Sequence, residues 1–183
     1  MSTATQPLAG TFAADPVHSS CQFAVKHMKV ATFRAGCDDV DARLVAGDDG
    51  VTLEGRAKVE SVSVANPPEL REHLVNSTDF FDAGNHPEIV FTSKNVDLAE
   101  DGTATVEGEL TIKGITKPVT ATGTYQAPVE DPYGGVRSAL ELTATLDRRE
   151  WEMNWQTPLP SGDDVLAWDV TLSVNLELVQ QEG

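Results

Sequence analysis

The four histidines are the residues most able to hold a metal ion or to move a proton near neutral pH. His18 and His27 lie nine positions apart, and His73 and His86 lie thirteen apart. Zinc sites that use two histidines on a helix or short loop place them about three to five residues apart. The spacing therefore predicts no metal site. We expect His18 and His27 to bond a neighbouring strand or the polar end of a ligand.

No residue is a convincing nucleophile. His18 and Ser19 are adjacent, and neighbouring side chains of an extended segment point to opposite faces, so they cannot form a nucleophile–base pair. The sequence has no G-x-S-x-G turn and no glycine-rich phosphate loop. Cys21 and Cys37 form no CxxC motif and are too few for a zinc cage, so we expect them to be packing residues. We predict no catalytic residue and no cofactor.

Aromatic residues are more informative. Trp151, Met153 and Trp155 would share one face if "EWEMNW" were extended, and tryptophan offers a large rigid apolar surface. Phe80 and Phe81 are adjacent in "STDFFD", so one strand layer cannot bury both rings. These residues favour binding of an apolar ligand.

Alternation of apolar and polar residues indicates the strands that would position these side chains. In "VTLEGRAKVE" the apolar residues Val51, Leu53, Ala57 and Val59 face one way, and charged residues face the other. The same period of two recurs within residues 21–25, 89–91, 104–112, 119–125, 140–146 and 170–178. Short turn signals separate the runs, which predicts antiparallel connections. One short helix is expected at "NPPELREHL".

Long antiparallel strands avoid free edges by closing into a barrel. We predict an all-β fold, an antiparallel β-barrel of about eight long strands with one short helix. A barrel of that size is either filled by side chains or wide enough for one small ligand. Six small inward residues are expected to leave room inside: Gly55, Ala57, Gly108, Ala121, Gly123 and Ala144. A filled barrel serving as an interaction module remains an alternative.

Composition limits the functions available to the chain. Its 183 residues fit one domain, 1–183, with a core at about 12–179. The 29 acidic and 13 basic residues give a net charge of -16, which repels nucleic acid and anionic lipid headgroups. The first residues, "MSTATQPLAG", have no basic and apolar leader pattern, and no apolar run approaches the roughly 20 residues that span a bilayer. We expect a cytoplasmic protein without membrane insertion.

Four blocks of sequence resemble the YceI family, lipocalin-like proteins linked to polyisoprenoid binding. The blocks occur in the family's order over about Phe12 to Val179 and are "DPVHSSCQFAVKHM", "ELREHLVNSTDFFDAGNHPEIVF", "GELTIKGITKPV" and "LDRREWEMNW". The resemblance implies an antiparallel barrel with a long apolar channel for an isoprenoid chain, commonly in a dimer, and no established catalytic activity. Cys37 stands where the family usually has Phe, and Glu152 stands where it usually has Gly.

The chain is therefore expected to bind a long isoprenoid-type lipid, such as a polyprenyl or quinone-like molecule. A small isomerase or hydrolase using the same cavity is the alternative, and it would need a buried polar residue with a shifted pKa. Arg148 could bond a phosphate or quinone oxygen, or pair with an aspartate near a barrel end. The predicted ligand-binding residues are Phe23, Val25, His27, Phe80, Phe81, Phe91, Leu110, Leu142, Arg148, Trp151, Trp155 and Leu172.

The expected homodimer can be tested by its response to salt. Because each chain carries a net charge of -16, repulsion opposes close approach, and an interface would have to be apolar at its centre. Sedimentation velocity should show a dimer that tightens as ionic strength rises. A monomer at both low and high ionic strength would rule the dimer out.

Overall fold

A computed structural model describes residues 7–64 and 66–182. The described residues form eleven strands and one α-helix, α1 (Pro68–Asn76). Two short 3-10 helices span Val59–Ser61 and Arg148–Trp151. The strands are β1 (Gly10–Ala14), β2 (Ser20–His27), β3 (Ala31–Cys37), β4 (Val40–Gly47), β5 (Gly50–Lys58), β6 (Val62–Ser63), β7 (Glu88–Leu98), β8 (Thr103–Ile112), β9 (Ile115–Glu130), β10 (Val136–Asp147) and β11 (Leu166–Gln180).

The strands form one antiparallel sheet that closes on itself. Its order runs β1-β4-β5-β7-β8-β9-β10-β11, and β1 also pairs with β11, which completes a ring of eight strands. The predicted barrel and its one helix are confirmed. Closure removes the free edges that strands of 5 to 16 residues would otherwise expose. No helix within the described residues is long and apolar enough to cross a lipid bilayer.

One edge of β11 is shared between two strands. Its last residues pair with β1, whereas residues 166–175 pair with β2. β1 and β2 therefore lie end to end along β11, and β3 and β6 continue the sheet beyond the ring. We call the end with β1 and the β9–β10 turn (131–135) the lower end. The upper end carries the β2–β3 turn (28–30) and helix α1.

The lower end is filled by a tightly buried core. Phe12, Leu44, Leu140 and Leu178 come from β1, β4, β10 and β11, and all four side chains are 0% exposed. Burying a large apolar side chain contributes about 1.5–3 kcal/mol. Contacts among four strands at this level hold the ring closed and give the barrel a solid floor.

The upper end is covered by α1 and the second 3-10 helix. Val75 on α1 and Trp151 on the 3-10 helix are both fully buried, and the Trp151 indole Nε1 donates a hydrogen bond to the Leu110 carbonyl oxygen at 3.2 Å. The Arg71 guanidinium ties α1 to the β6 region, because its Nε donates to the Val62 carbonyl oxygen at 3.2 Å. These contacts fix the cover on the barrel.

A salt-bridge cluster joins three segments at the lower end. Arg137 on β10 bonds the carboxylate of Asp15 at 2.9 Å, that of Asp131 at 2.8 Å and that of Glu177. A backbone hydrogen bond from Val17, together with the Arg137 bond, lowers the pKa of Asp15. The Arg137 bond, with backbone N–H donors, lowers the pKa of Asp131. Both carboxylates are stabilised in the charged form by the fold.

The cluster predicts how stability depends on pH. A carboxyl pKa that is lower in the folded chain contributes stability above the ordinary value of 3.8 and loses it as pH falls through the folded value. Stability should therefore fall below about pH 4, and Arg137→Met should cost more at pH 7 than at pH 3 in urea unfolding. Arg56→Met, which removes an exposed pair with Asp41, is the control and should cost little at either pH. An equal loss for Arg137→Met at both pH values would contradict this assignment.

Candidate ligand-binding site

A cavity of about 570 Å³ lies inside the barrel between the lower core and the upper cover. Aliphatic and aromatic side chains from β2, β5, β7, β8, β10 and β11 supply most of its wall. Its volume lies in the range of about 300–1,000 Å³ that is usual for small-molecule sites. The barrel is hollow in this region.

The partial exposure of inward-facing wall residues also indicates an empty interior. Phe91, Leu172 and Val174 occupy the apolar register of their strands but are only half-buried, because their inner surfaces border the cavity. The small residues Gly55, Ala57, Ala121 and Ala144 also line it, as predicted. Small side chains on the wall leave this volume open.

Gly108 and Gly123, two of the small residues that were expected to leave room inside the barrel, have a different role. A Cβ atom at Gly108 would lie 2.6 Å from Cζ of Phe91, because that ring lies over the glycine. A Cβ atom at Gly123 would lie 1.8 Å from the Glu141 carbonyl oxygen on the paired strand. Both glycines allow close packing of the wall instead of widening the cavity, so the prediction was wrong for these two positions.

The structure brings the predicted site residues together. All twelve line the cavity: Phe23, Val25, His27, Phe80, Phe81, Phe91, Leu110, Leu142, Arg148, Trp151, Trp155 and Leu172. Their contact with a ligand stays a prediction. Sequence reasoning missed Phe33 and the α1 residues Leu70, His73 and Leu74. The four-residue spacing of Leu70 and Leu74, which places both on one helix face, was the available signal.

Phe80 and Phe81 lie in a turn after α1 and have different surroundings. The Phe81 ring packs against Phe23 with centroids 5.8 Å apart and belongs to the upper core. The Phe80 ring stacks on Trp155 at 6.0 Å and meets the edge of His73 at 5.2 Å. Both residues are 8% exposed, so the two rings differ in their contacts and not in their burial.

Trp151 and Trp155 also separate, because "EWEMNW" is not extended. Residues Arg148–Trp151 form a 3-10 helix that ends at Glu152 in the left-handed conformation, with φ of 56°. Trp151 enters the upper core, and Trp155 lies half-buried beside Phe80. Lys113 Nζ donates to the Glu152 carbonyl oxygen at 2.9 Å. Because the chain reverses at Glu152, Trp151 belongs to the cover of the barrel and Trp155 lies beside the cavity opening.

Arg148 is 4% exposed and bonds backbone carbonyls. Its Nε donates to Ala167 at 2.9 Å, its Nη1 to Met153 at 2.5 Å and its Nη2 to Leu166 at 3.2 Å. The guanidinium carbon lies 4.2 Å from the Trp168 ring centroid. Within the described residues no carboxylate approaches Arg148 to 4.0 Å, so the predicted aspartate partner was wrong. Burial lowers the pKa of Arg148.

Cys21 and Cys37 face each other across β2 and β3, and both line the cavity. Burial raises the pKa of Cys21 to about 11 and that of Cys37 to about 12. The thiols are therefore protonated at neutral pH, and a protonated thiol is a poor nucleophile and metal ligand. Their position in the wall agrees with the packing role predicted for them.

A group the sequence spacing did not indicate occurs at the lower end. Ligand atoms of Asp15, His18 and Glu177 lie within 4.8 Å of one another. Arg137 already donates to both carboxylates, and His18 Nδ1 lies 3.2 Å from Asp15 Oδ2. The guanidinium of Arg137 therefore already neutralises these carboxylates, and we assign Asp15, His18 and Glu177 to the salt-bridge cluster.

The cavity meets solvent at the upper end. His73 on α1 and Ala31 on β3 line it and are exposed, and His27, Phe33 and Trp155 beside them are half-buried. In the part of the chain that the structure describes, β3 pairs with β6 only through Gly36 and Cys37. The opening therefore lies between the free part of β3, α1 and Trp155, and we call it the mouth.

The YceI-like domain profile matches residues 12–178, which include every residue that lines the cavity. The chain belongs to the YceI-like domain family. It is 30% identical over 169 residues to a UPF0312 protein of Staphylococcus aureus strain USA300, covering 91% of this chain and 95% of that protein. That agreement extends over nearly the whole of both chains.

Solved structures share the fold of this YceI-like domain. Burkholderia cenocepacia BcnA superposes with a TM-score of 0.72 at 18% identity, covering 92% of this chain and 99% of that one. A polyisoprenoid binding domain from Saccharophagus degradans has a TM-score of 0.66 at 11% identity, covering 95% and 100%. At such identities the comparison establishes the barrel architecture.

The two phenylalanines give a paired prediction. Phe81→Ala should lower the free energy of unfolding by about 3–5 kcal/mol, because it empties part of the upper core. Phe80→Ala should cost less, because Phe80 lies outside the upper core cluster and packs on the half-buried Trp155 and the exposed His73. It should also speed release of a fluorescent prenyl analogue, since affinity changes at one site occur mostly in the off-rate. The measurements are urea unfolding of the ligand-free variants and stopped-flow dissociation. Equal stability losses with unchanged off-rates would show that both rings are ordinary core.

Proposed function

We propose that this YceI-like domain binds and carries a long apolar isoprenoid-type lipid, a polyprenyl or quinone-like molecule, in the barrel cavity. The observation that carries the proposal is the hollow interior of about 570 Å³, walled by apolar side chains and open at one end. Burial of a hydrocarbon chain contributes about 0.8 kcal/mol per methylene, so such a ligand needs few polar contacts. The relative from Saccharophagus degradans, described as a polyisoprenoid binding domain, supports this ligand class.

The distribution of side chains in the wall supports one orientation of the bound lipid. Its tail extends towards Leu53, Val106 and Leu176, above the solid lower core. Its polar end lies at the mouth, where the imidazoles of His27 and His73 can donate or accept hydrogen bonds. Arg148 also lines the cavity, and three of its five N–H groups bond carbonyls, so two are available for a ligand oxygen.

The alternatives receive less support from the site. An isomerase or hydrolase needs a base or nucleophile whose pKa suits reaction near pH 7. Burial raises the pKa of the Cys21 and Cys37 thiols in the wall well above neutrality, which suppresses their reactivity. An interaction module with a filled barrel would have side chains where the cavity lies. Binding without catalysis is the function we favour.

Filling the cavity tests the proposal. Ala121 on β9 is half-buried and lines the cavity, whereas the adjacent Thr122 is exposed on the outer face. Ala121→Trp should weaken binding of a fluorescent prenyl analogue by at least about tenfold, because the indole displaces at least two methylenes' worth of ligand contact. Its melting temperature should stay close to that of the wild type.

Thr122→Trp adds the same side chain outside the barrel and is the matched control. It should bind the analogue as the wild type does. Unchanged binding by a folded Ala121→Trp variant would place the ligand somewhere other than the cavity and would refute the proposal.

A further inference from the structure

The β2–β3 turn presents apolar side chains to solvent beside the mouth. Val30 is 83% exposed and Met28 is 43% exposed, and neither lines the cavity. The residues that flank them, His27 and Ala31, do line it. The main chain of Met28 is fixed to the residue before β11, since its N–H donates to the Val165 carbonyl oxygen at 2.6 Å. The apolar tip is therefore fixed next to the opening.

The turn itself has an unfavourable backbone for its residues. Val30 N–H bonds the His27 carbonyl oxygen at 3.0 Å, and the two central residues, Met28 and Lys29, have φ of 52° and 59°. Tight hairpins with positive φ at both central positions strongly prefer Asn-Gly or Asp-Gly. Met and Lys at these positions carry a conformational cost, and such strain is concentrated at functional sites.

The hairpin that carries the tip is itself free of acidic residues, and one carboxylate from another segment, that of Asp163, lies against it. Residues 16–37 contain no aspartate or glutamate, although the chain has 29 acidic residues, and they include Lys26, Lys29 and Arg34. Lys29 pairs with Asp163 at 2.6 Å. Among the residues that the structure describes, Lys26 and Arg34 have no carboxylate within 4.0 Å. An exposed apolar tip is thus flanked by two cations free to meet phosphate groups.

We infer that the β2–β3 turn docks this protein on the surface of a phospholipid bilayer, with Val30 and Met28 entering the interface and Lys26 and Arg34 contacting lipid phosphates. The inference rests on the proposed function, because it supplies the route by which an isoprenoid lipid enters the mouth without crossing water. Amphipathic surfaces with apolar and basic side chains bind membranes in this way. The net charge of -16 predicts repulsion from anionic headgroups, and Lys26 and Arg34 are the side chains that would oppose this repulsion at the docking surface.

Val17 provides a matched control for Val30. It is 80% exposed, but it lies at the lower end beside Asp15, far from the mouth. Val30→Asp and Val17→Asp therefore make the same change in charge and apolarity at opposite ends of the barrel. Lys26→Gln removes one of the two cations and leaves the tip intact.

The experiment is co-sedimentation with vesicles that contain no isoprenoid, made of phosphatidylcholine alone or of equal parts phosphatidylcholine and phosphatidylglycerol. The wild type should sediment with vesicles, and Val30→Asp should bind about tenfold more weakly, as expected for one buried valine. Val17→Asp should bind as the wild type does. Lys26→Gln should weaken binding to the mixed vesicles by about fivefold and change binding to phosphatidylcholine less.

Binding of a prenyl analogue dispersed in buffer is measured on the same variants. Val30→Asp should bind the analogue normally, so that only membrane association is lost. The docking inference is overturned if the wild type stays in the supernatant with both vesicle types, or if both aspartate variants lose binding equally. The exposed apolar tip would then be assigned to contact with a protein partner. If the wild type sediments with vesicles but does not bind the analogue, it is the proposed function that fails.

Discussion

The edge of β11 that β1 and β2 share determines how far this barrel closes. β1 pairs with one part of that edge and β2 pairs with the other. The sheet is therefore a closed ring at the lower end and is only partly closed at the upper end. In the closed part, buried side chains pack around Phe12 and Leu140. The open part cannot be sealed by strand pairing, so α1 and the second 3-10 helix cover it and leave a mouth beside β3.

Much of this architecture follows from the sequence, since alternation fixes which side of a strand faces inward. The alternation of apolar and polar residues alone was enough to predict that Phe23, Leu110 and Leu172 face inward. Prediction failed where a residue's role depends on a partner distant in sequence. Gly108 suggests open space until the Phe91 ring is found over it, and Arg148 suggests an aspartate until three carbonyls are found around it.

Two features near the site depend on particular side chains. Glu152 stands in the left-handed conformation, which glycine adopts without steric cost and other residues adopt rarely. Lys113 helps to hold the strained turn through the Glu152 carbonyl. Cys37 lines the cavity, and its small thiol side chain leaves volume there for a ligand.

The proposed role of the hollow interior as a site for an isoprenoid-type lipid can be tested by native mass spectrometry of the protein purified from its own host without detergent. We expect a non-covalent adduct whose mass, after release by denaturation, is that of an isoprenoid compound. Its abundance should fall in Ala121→Trp but not in Thr122→Trp. A bare chain mass for the wild type, with no prenyl compound taken up when one is supplied, would contradict the proposed role.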